Sequence, residues 1–339
     1  MERQTLSGFG TNVLNLKKMK NKNRELVSDK GVDKIMLDSL LEKFANKCDI
    51  AVLGDGQLGS AIYKYWAENK PKRKHELEVF SRKTGFDFNK EEDLIPILQK
   101  YEVIINCVAY TNVDGAEANE EICKQTNFES VKRLSDLCKK FHRILIHISS
   151  EVVYADDNPI GKPLKEDEQF KTPTCVYSKW KAEADKYVLS SDPDALIIRS
   201  GWLFNPQFQN NFIAKITNKI LSGDQQVRVV DDQIGTLTSA ELIAKVIFQW
   251  IESDIPGGVY NIGQKGYVSR YEIAKYIRDL LRRGAEVVPC KADEYVRPAK
   301  VARNSRLDLD KYMKDFRQIE YPDYWKISVT NMLKENGYI

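Results

Sequence analysis

Apolar residues along this chain fall into short continuous runs separated by stretches with helical spacing. Ile50-Ala51-Val52-Leu53, Leu77-Glu78-Val79-Phe80, Val103-Ile104-Ile105-Asn106-Cys107-Val108, Ile144-Leu145-Ile146-His147-Ile148 and Ala195-Leu196-Ile197-Ile198-Arg199 read as strands. Residues 61–66, 94–98, 117–141 and 182–188 read as helices between them, the third as one long helix. Strands that are apolar at nearly every position are buried on both faces. Their alternation with helices therefore predicts a parallel sheet covered on both sides, the α/β class.

Ahead of Asp49 the pattern differs. Residues 1–30 are polar and rich in lysine around Lys17-Lys18-Met19-Lys20-Asn21-Lys22-Asn23-Arg24, with little to bury, which predicts a basic flexible arm. Ile35, Leu37, Leu40, Leu41 and Phe44 then recur at helical spacing and predict a short amphipathic helix, packed on the domain or on a partner.

Composition adds exclusions. At 339 residues, 42% hydrophobic and 30% charged, the chain reads as a soluble globular protein with room for a large domain and a smaller lobe. A net charge of +3 gives no global argument for nucleic acid or a membrane surface. The six cysteines contain no C-x-x-C, and three histidines supply no zinc-ligand spacing, so no metal site is expected. Cys107 lies in an apolar run and reads as a buried thiol. Without an apolar run of about 18 residues or a signal-peptide core, a cytoplasmic protein is expected.

The first strand ends in Gly54-Asp55-Gly56-Gln57-Leu58-Gly59 with a helix after it. In that context the glycines serve a dinucleotide: Gly54 for the tight turn, Gly56 for close approach to the pyrophosphate, and Gly59 for helix packing. The phosphates then meet free N–H groups at a helix N-terminus. The second strand ends Phe80-Ser81-Arg82-Lys83, with a hydroxyl and two cations and no carboxylate at the tip. That set suits a ribose 2′-phosphate and points to NADPH ahead of NADH; the bland alternative is a pair of solvated loop charges.

Tyr177-Ser178-Lys179-Trp180-Lys181 holds a Tyr-x-x-x-Lys pair, placed on one helical face by its spacing. The Lys181 ammonium is expected to favour the phenolate and tune Tyr177 as a general acid, while also reaching the nicotinamide ribose. Ile148-Ser149-Ser150-Glu151 puts hydroxyls just past the end of the fourth strand. Ser150, Tyr177 and Lys181 around a dinucleotide are the set found in short-chain dehydrogenases, which this chain resembles in their extended form.

A closer resemblance rests on ordered segments. Asn106-Cys107-Val108-Ala109-Tyr110-Thr111-Asn112-Val113-Asp114 with Ala116-Glu117 resembles the N-x-A-A-[YH]-T-x-V-D-x-A-E segment of dTDP-4-dehydrorhamnose reductases. His147 through Tyr154 resembles their H-I-S-T-D-Y-V-F, and Tyr177 through Glu183 their Y-G-K-T-K-x-x-G-E. Arg199 through Phe204 with Asn211-Phe212, then Asp232 through Thr238, then Asn304-Ser305-Arg306-Leu307 are similar to further segments of that family. The likeness runs in order from about Ile50 to Leu333.

The resemblance implies that NAD(P)H reduces the C4 ketone of a nucleotide-linked 4-keto-6-deoxyhexose, in deoxysugar and surface-polysaccharide biosynthesis. Tyr177 would donate the proton, Lys181 would support it, and Ser150 would hold the forming alkoxide. Gly54, Gly56, Gln57, Leu58, Gly59, Ser81, Arg82, Lys83, Asp87, Phe88, Ala109, Tyr110 and Thr111 would surround the cofactor. Val113, Glu151, Trp202, Asn211, Arg297 and Arg303 would meet the substrate, the two arginines at its diphosphate. Trp202 also suits an ordinary core position.

The fold implied is a Rossmann-type doubly wound parallel sheet with a smaller α/β substrate-binding lobe. Residues 1–48 form an extension suited to a homodimer or a protein partner, and 49–202 the NAD(P)-binding domain. Residues 203–339 are mostly lobe, with 227–257 returning to the large domain and crossings at Ser222-Gly223 and Pro256-Gly257-Gly258. The chain departs from the family at Glu151, Val152 and Val301-Ala302. Valine cannot transfer protons, which disfavours the related dehydratases. A nucleotide-sugar epimerase, or a non-catalytic subunit like the regulatory β subunit of methionine adenosyltransferase, remain as alternatives.

Overall fold

The computed structural model describes residues 48–69, 75–158, 160–317 and 324–339. The basic arm and the helix predicted over residues 35–44 lie outside the described residues. Five strands follow in the predicted places: β1 (Ile50–Leu53), β2 (Leu77–Phe80), β3 (Val103–Asn106), β4 (Ile144–Ser150) and β5 (Leu196–Ser200). Beyond them come β6 (Trp202–Phe204), β7 (Gln226–Val230), β8 (Ile234–Ser239), β9 (Gly258–Ile262), β10 (Tyr267–Ser269), β11 (Glu286–Cys290) and β12 (Asn304–Ser305).

The main sheet is parallel throughout, in the order β2-β1-β3-β4-β5-β9. Alternate strand residues feed two cores. Val52, Ile105, Ile146 and Ile198 face α1 (Gln57–Asn69) and a later helix, while Leu53, Ile104, Leu145 and Ile197 face α2 (Glu91–Lys100), α3 (Ser130–Lys140) and α4 (Val176–Ser191). Burial on both faces is why these runs carry no polar alternation. The order reverses between β1 and β3, and in such sheets a ligand crevice opens there, outside the strand C-termini.

The long helix expected over residues 117–141 is interrupted. Helical turns at Val113–Ala118 and Glu120–Lys124 break at Asn119 (φ −134°, ψ 46°), and a π-helical turn over Gln125–Glu129 precedes α3. The π turn has a use, as such turns often do. It presents Asn127, whose amide accepts from Tyr110 N (2.8 Å) and donates to Tyr110 O (3.1 Å), pinning the loop after β3.

The smaller lobe has its own core, built on α5 (Phe212–Ile220), α7 (Arg270–Leu281) and α8 (Trp325–Glu335). The expected return of residues 227–257 to the large domain is corrected at its start. β7 pairs with β11 in a separate sheet and buries Val227 and Val229 in the lobe. Its alternating exposed and buried residues suit a strand covered on one face only. The returning segment is α6 (Ala240–Glu252), packed on α1, followed by β9 in the main sheet.

The turns Ser222-Gly223 and Pro256-Gly257-Gly258 therefore join neighbours within one part each. The crossings near Gly201 and Gly263 sit against Thr236, where an added Cβ would come within 2.0 Å of its O and 2.2 Å of its Cγ2. None of the described helices is long and apolar enough to cross a membrane.

Candidate active site

β1 runs into Gly54 at φ 99°, a backbone region that L side chains rarely adopt, and its N–H donates to Phe80 O at 2.7 Å. A Cβ on Gly59 would stand 1.9 Å from Gly54 O, so α1 can press on the loop only through glycine. A Cβ on Gly56 would meet nothing within 4 Å, because that side of the loop is open. Gln57 O accepts from Asn205 Nδ2 at 2.7 Å, tying this loop to the lobe. A closed collar at Gly59 beside open space at Gly56 fits a pyrophosphate laid over the start of α1.

Gly59→Ala is expected to weaken dinucleotide binding and to destabilise the fold by roughly 1–3 kcal/mol, the range for overpacked sites. Thermal denaturation and a fluorescence titration with NADPH check this. Wild-type values for both would show that the collar is not needed.

At the tip of β2, Ser81 is buried and caps a short turn, with Thr84 Oγ1 accepting from Ser81 N at 3.0 Å. Ser81 and Arg82 line the cleft, but Lys83 does not: its ammonium pairs with Asp55 at 2.6 Å. The Lys83 hydrogen bond is the main reason that the Asp55 carboxyl sits below its usual range. Asp55 is a carboxylate beside the β2 tip that the sequence reading passed over, because it lies in the glycine loop. Asp87 and Phe88 line the same end; Asp87 Oδ1 caps Asn89 N at 3.0 Å, and Phe88 is mostly sunk in the core.

Further along the cleft lie Ala109, Tyr110, Thr111 and Val113 from the loop pinned by Asn127, then Ser150 and Glu151 from the end of β4. Tyr177 and Lys181 project from α4. Trp202, Asn211 and Arg297 complete the wall from the lobe side. The cleft has a volume of about 1510 Å³, above the few hundred to a thousand typical of one small ligand.

Lys181 is buried, and its ammonium donates to Ile148 O at 2.8 Å. Burial pushes it down to about 8, with Asp185 on the same helical face pulling the other way. Burial, and then the charge of Glu151, push the Tyr177 phenol up. The expected tuning toward phenolate is therefore corrected. Burial sets the direction, and the ammonium of Lys181 is engaged with the Ile148 carbonyl. Among the described residues no hydrogen bond reaches the Tyr177 hydroxyl, which faces the cleft. Ser150 Oγ donates to Glu151 Oε2 at 2.5 Å, and burial raises the Glu151 carboxyl.

Two substrate assignments change. Asn211 lines the cleft, but its amide is engaged within the protein: its Oδ1 accepts from Ala214 N (3.0 Å), and its Nδ2 donates to Asn205 O and Phe208 O. It caps α5 and fixes the loop before it. Arg303 does not line the cleft; it pairs with Asp293 at 2.6 Å, with Asp157 and Asp232 nearby. Arg297 does line it, but its Nε donates to Asp114 at 2.8 Å.

Sequence reasoning missed two features. Behind α4, Asp185 and Arg199 form a fully buried ion pair, and Arg199 also donates to the Tyr154 hydroxyl, which donates to Asn261. An arginine ending an apolar strand was the available signal. The second is Arg270, the first residue of α7, which lines the cleft beside Trp202. Nothing around it in the sequence marked it.

The family model described as the RmlD substrate binding domain matches residues 49–337. A dTDP-4-dehydrorhamnose reductase of Aggregatibacter actinomycetemcomitans is 30% identical over 290 residues, spanning 82% of this chain and 95% of that protein. The crystal structure of a dTDP-4-dehydrorhamnose reductase from Clostridium acetobutylicum is 26% identical with a TM-score of 0.75, over 85% of this chain and 99% of that one. The Bacillus anthracis enzyme of the same name, solved in complex with NADP, shares the fold at 22% identity, with a TM-score of 0.76 and the same coverage.

Proposed function

The chain belongs to the RmlD substrate binding domain family, and from that membership we propose that it reduces the C4 ketone of a nucleotide-linked 4-keto-6-deoxyhexose at the expense of NAD(P)H. One observation carries the reading. The Tyr177 hydroxyl, without a hydrogen-bond partner among the described residues, lines the cleft one helical turn from the buried Lys181. The relatives named above are dTDP-4-dehydrorhamnose reductases, which supports this reading over a non-catalytic subunit or an epimerase.

A bound reduced nicotinamide supplies the hydride. The protein supplies the rest. Tyr177 gives its proton to the ketone oxygen as charge develops there, which a neutral phenol is suited to do. Ser150 turns its hydroxyl from Glu151 toward the same oxygen. Lys181 places a positive charge beneath Tyr177 and stabilises the phenolate left behind. Trp202 stands in the lobe wall on the sugar side, with the Arg270 guanidinium over its ring. The proposed protein contact, with a second copy or another chain, belongs to residues 1–48 and not to this cleft.

NADPH is the favoured reductant. Ser81 and Arg82 stand at the cleft end where a 2′-phosphate would lie, and Lys83 neutralises Asp55 beside them. The test follows absorbance of NADPH and NADH against a panel of nucleotide-linked 4-keto-6-deoxy sugars. Turnover with at least one sugar is expected, with NADPH preferred by roughly tenfold or more, the worth of one charge-assisted contact. Oxidation of neither cofactor by any sugar would overturn the proposal, and equal affinities would remove the NADPH assignment alone.

A further inference from the structure

Ser150 and Glu151 are neighbours in the chain, and neighbours on a strand point to opposite faces. Here their side chains meet. β4 ends at Ser150 in extended backbone (φ −151°, ψ 158°), and the chain turns at once into a short 3-10 turn over Glu151–Tyr154. Ser150 Oγ donates to Glu151 Oε2 at 2.5 Å, and both residues line the cleft, Glu151 as a buried side chain. Among the described residues, Tyr177 on α4 and Arg270 on α7 are the ionisable groups that face the Glu151 carboxyl.

A serine hydroxyl has one proton to give and two lone pairs with which to accept. One lone pair faces Val152 N at 3.5 Å. While Ser150 spends its proton on Glu151, it has none for the ketone oxygen that the proposed reaction brings beside it. Both demands are met only if the shared hydrogen bond reverses, with a protonated Glu151 donating to the other lone pair of Ser150. Burial favours that form by raising the Glu151 carboxyl, while the Ser150 bond and the charge of Arg270 work the other way. A neutral carboxyl also suits Tyr177. Once the phenol gives up its proton, an ionised Glu151 would repel the phenolate left behind.

We propose that Glu151 is a positioning residue that works as a neutral acid, donating to Ser150 so that the Ser150 hydroxyl points to the ketone oxygen. The inference rests on the reductase reading of the cleft. Glu151 and Ser150 keep their protons throughout, and the proton that reaches the ketone oxygen is that of Tyr177.

The experiment is the pH profile of kcat, at saturating NADPH and keto sugar, for wild type, Glu151→Gln, Ser150→Ala and the double variant. Wild type should lose kcat about tenfold in one step as rising pH ionises Glu151, the worth of one hydrogen bond to the forming alkoxide. The glutamine amide donates at every pH, so Glu151→Gln should lack the step. Ser150→Ala should be slower and lack it too, and adding Glu151→Gln should then change nothing more. The separate loss from Lys181, at about 8, persists in all four.

A wild-type profile without the step, a step that survives in Glu151→Gln, or a Glu151→Gln effect of equal size with and without Ser150 overturns the proposal. If Glu151→Gln does not fold, Ser150→Ala decides alone, since a step that persists without the Ser150 hydroxyl overturns the proposal equally. Infrared difference spectra of the NADP+ complex give a readout without turnover. Wild type should show the C=O band of a protonated carboxyl at neutral pH, missing from Glu151→Gln and shifted in Ser150→Ala; its absence overturns the proposal. Failure of the reductase reading looks different. Wild type would then reduce no keto sugar at any pH, while the band and its dependence on Ser150 remained.

Discussion

Tyr177→Phe is expected to lower kcat for keto-sugar reduction by roughly 10²- to 10⁴-fold, the usual worth of a positioned general acid, while leaving NADPH binding near wild type. The substitution removes one hydroxyl that has no hydrogen-bond partner among the described residues, so little structure is lost with it. The ring packs against Ala116 and Cys123, and Phe preserves that packing. Single-turnover kinetics with saturating NADPH isolate the step. Wild-type turnover in the variant would sink the acid role, and a loss confined to KM would reassign Tyr177 to binding.

The second large effect lies behind the site. Asp185→Ala should destabilise the protein by roughly 3–5 kcal/mol, because it leaves the buried Arg199 guanidinium without its carboxylate. Asp185 and Arg199 side chains are 0% and 2% exposed, with Nε to Oδ2 at 2.9 Å, so solvent cannot take over the charge. Asp185 also follows Tyr177 and Lys181 at helical spacing on α4 and helps to hold the Lys181 ammonium in its charged form. Activity at low temperature should therefore fall along with stability. Urea unfolding of Asp185→Ala, Arg199→Met and the double variant measures the effect. The double variant is expected to recover much of the loss, since it leaves no unpaired charge. A loss below about 1 kcal/mol in Asp185→Ala would mean that Tyr154 and the Glu166 carbonyl, which accepts from Arg199 at 3.0 Å, suffice on their own.

Much of the large domain could be read from local pattern. Five runs became β1 to β5; all but the edge strand β2 are continuous apolar sequence, because burial on both faces demands it. Tyr177 and Lys181 are one helical turn apart, so their shared face follows from helix geometry once α4 forms. The lobe was harder to read. β7 alternates polar and apolar residues, which tells of one covered face, but its partner β11 lies sixty residues later and local sequence says nothing about so distant a pairing. The break at Asn119 and the π turn were likewise invisible, since the apolar spacing continues through both.

By itself, then, the sequence determined the α/β class, the glycine loop, the Tyr-x-x-x-Lys pair and the hydroxyl after β4. Each of these depends on neighbours close in the chain. Only the tertiary structure decided which charges are free to act. It spent Lys83 on Asp55, Arg303 on Asp293 and the Asn211 amide on a helix cap, and it set Arg270 in the cleft wall over the Trp202 ring. It also reversed the expected direction for Tyr177. The physical reason is the same in each case. A side chain's charge, hydration and available hydrogen bonds depend on groups brought near by folding from distant parts of the chain, and spacing along the chain carries no record of them.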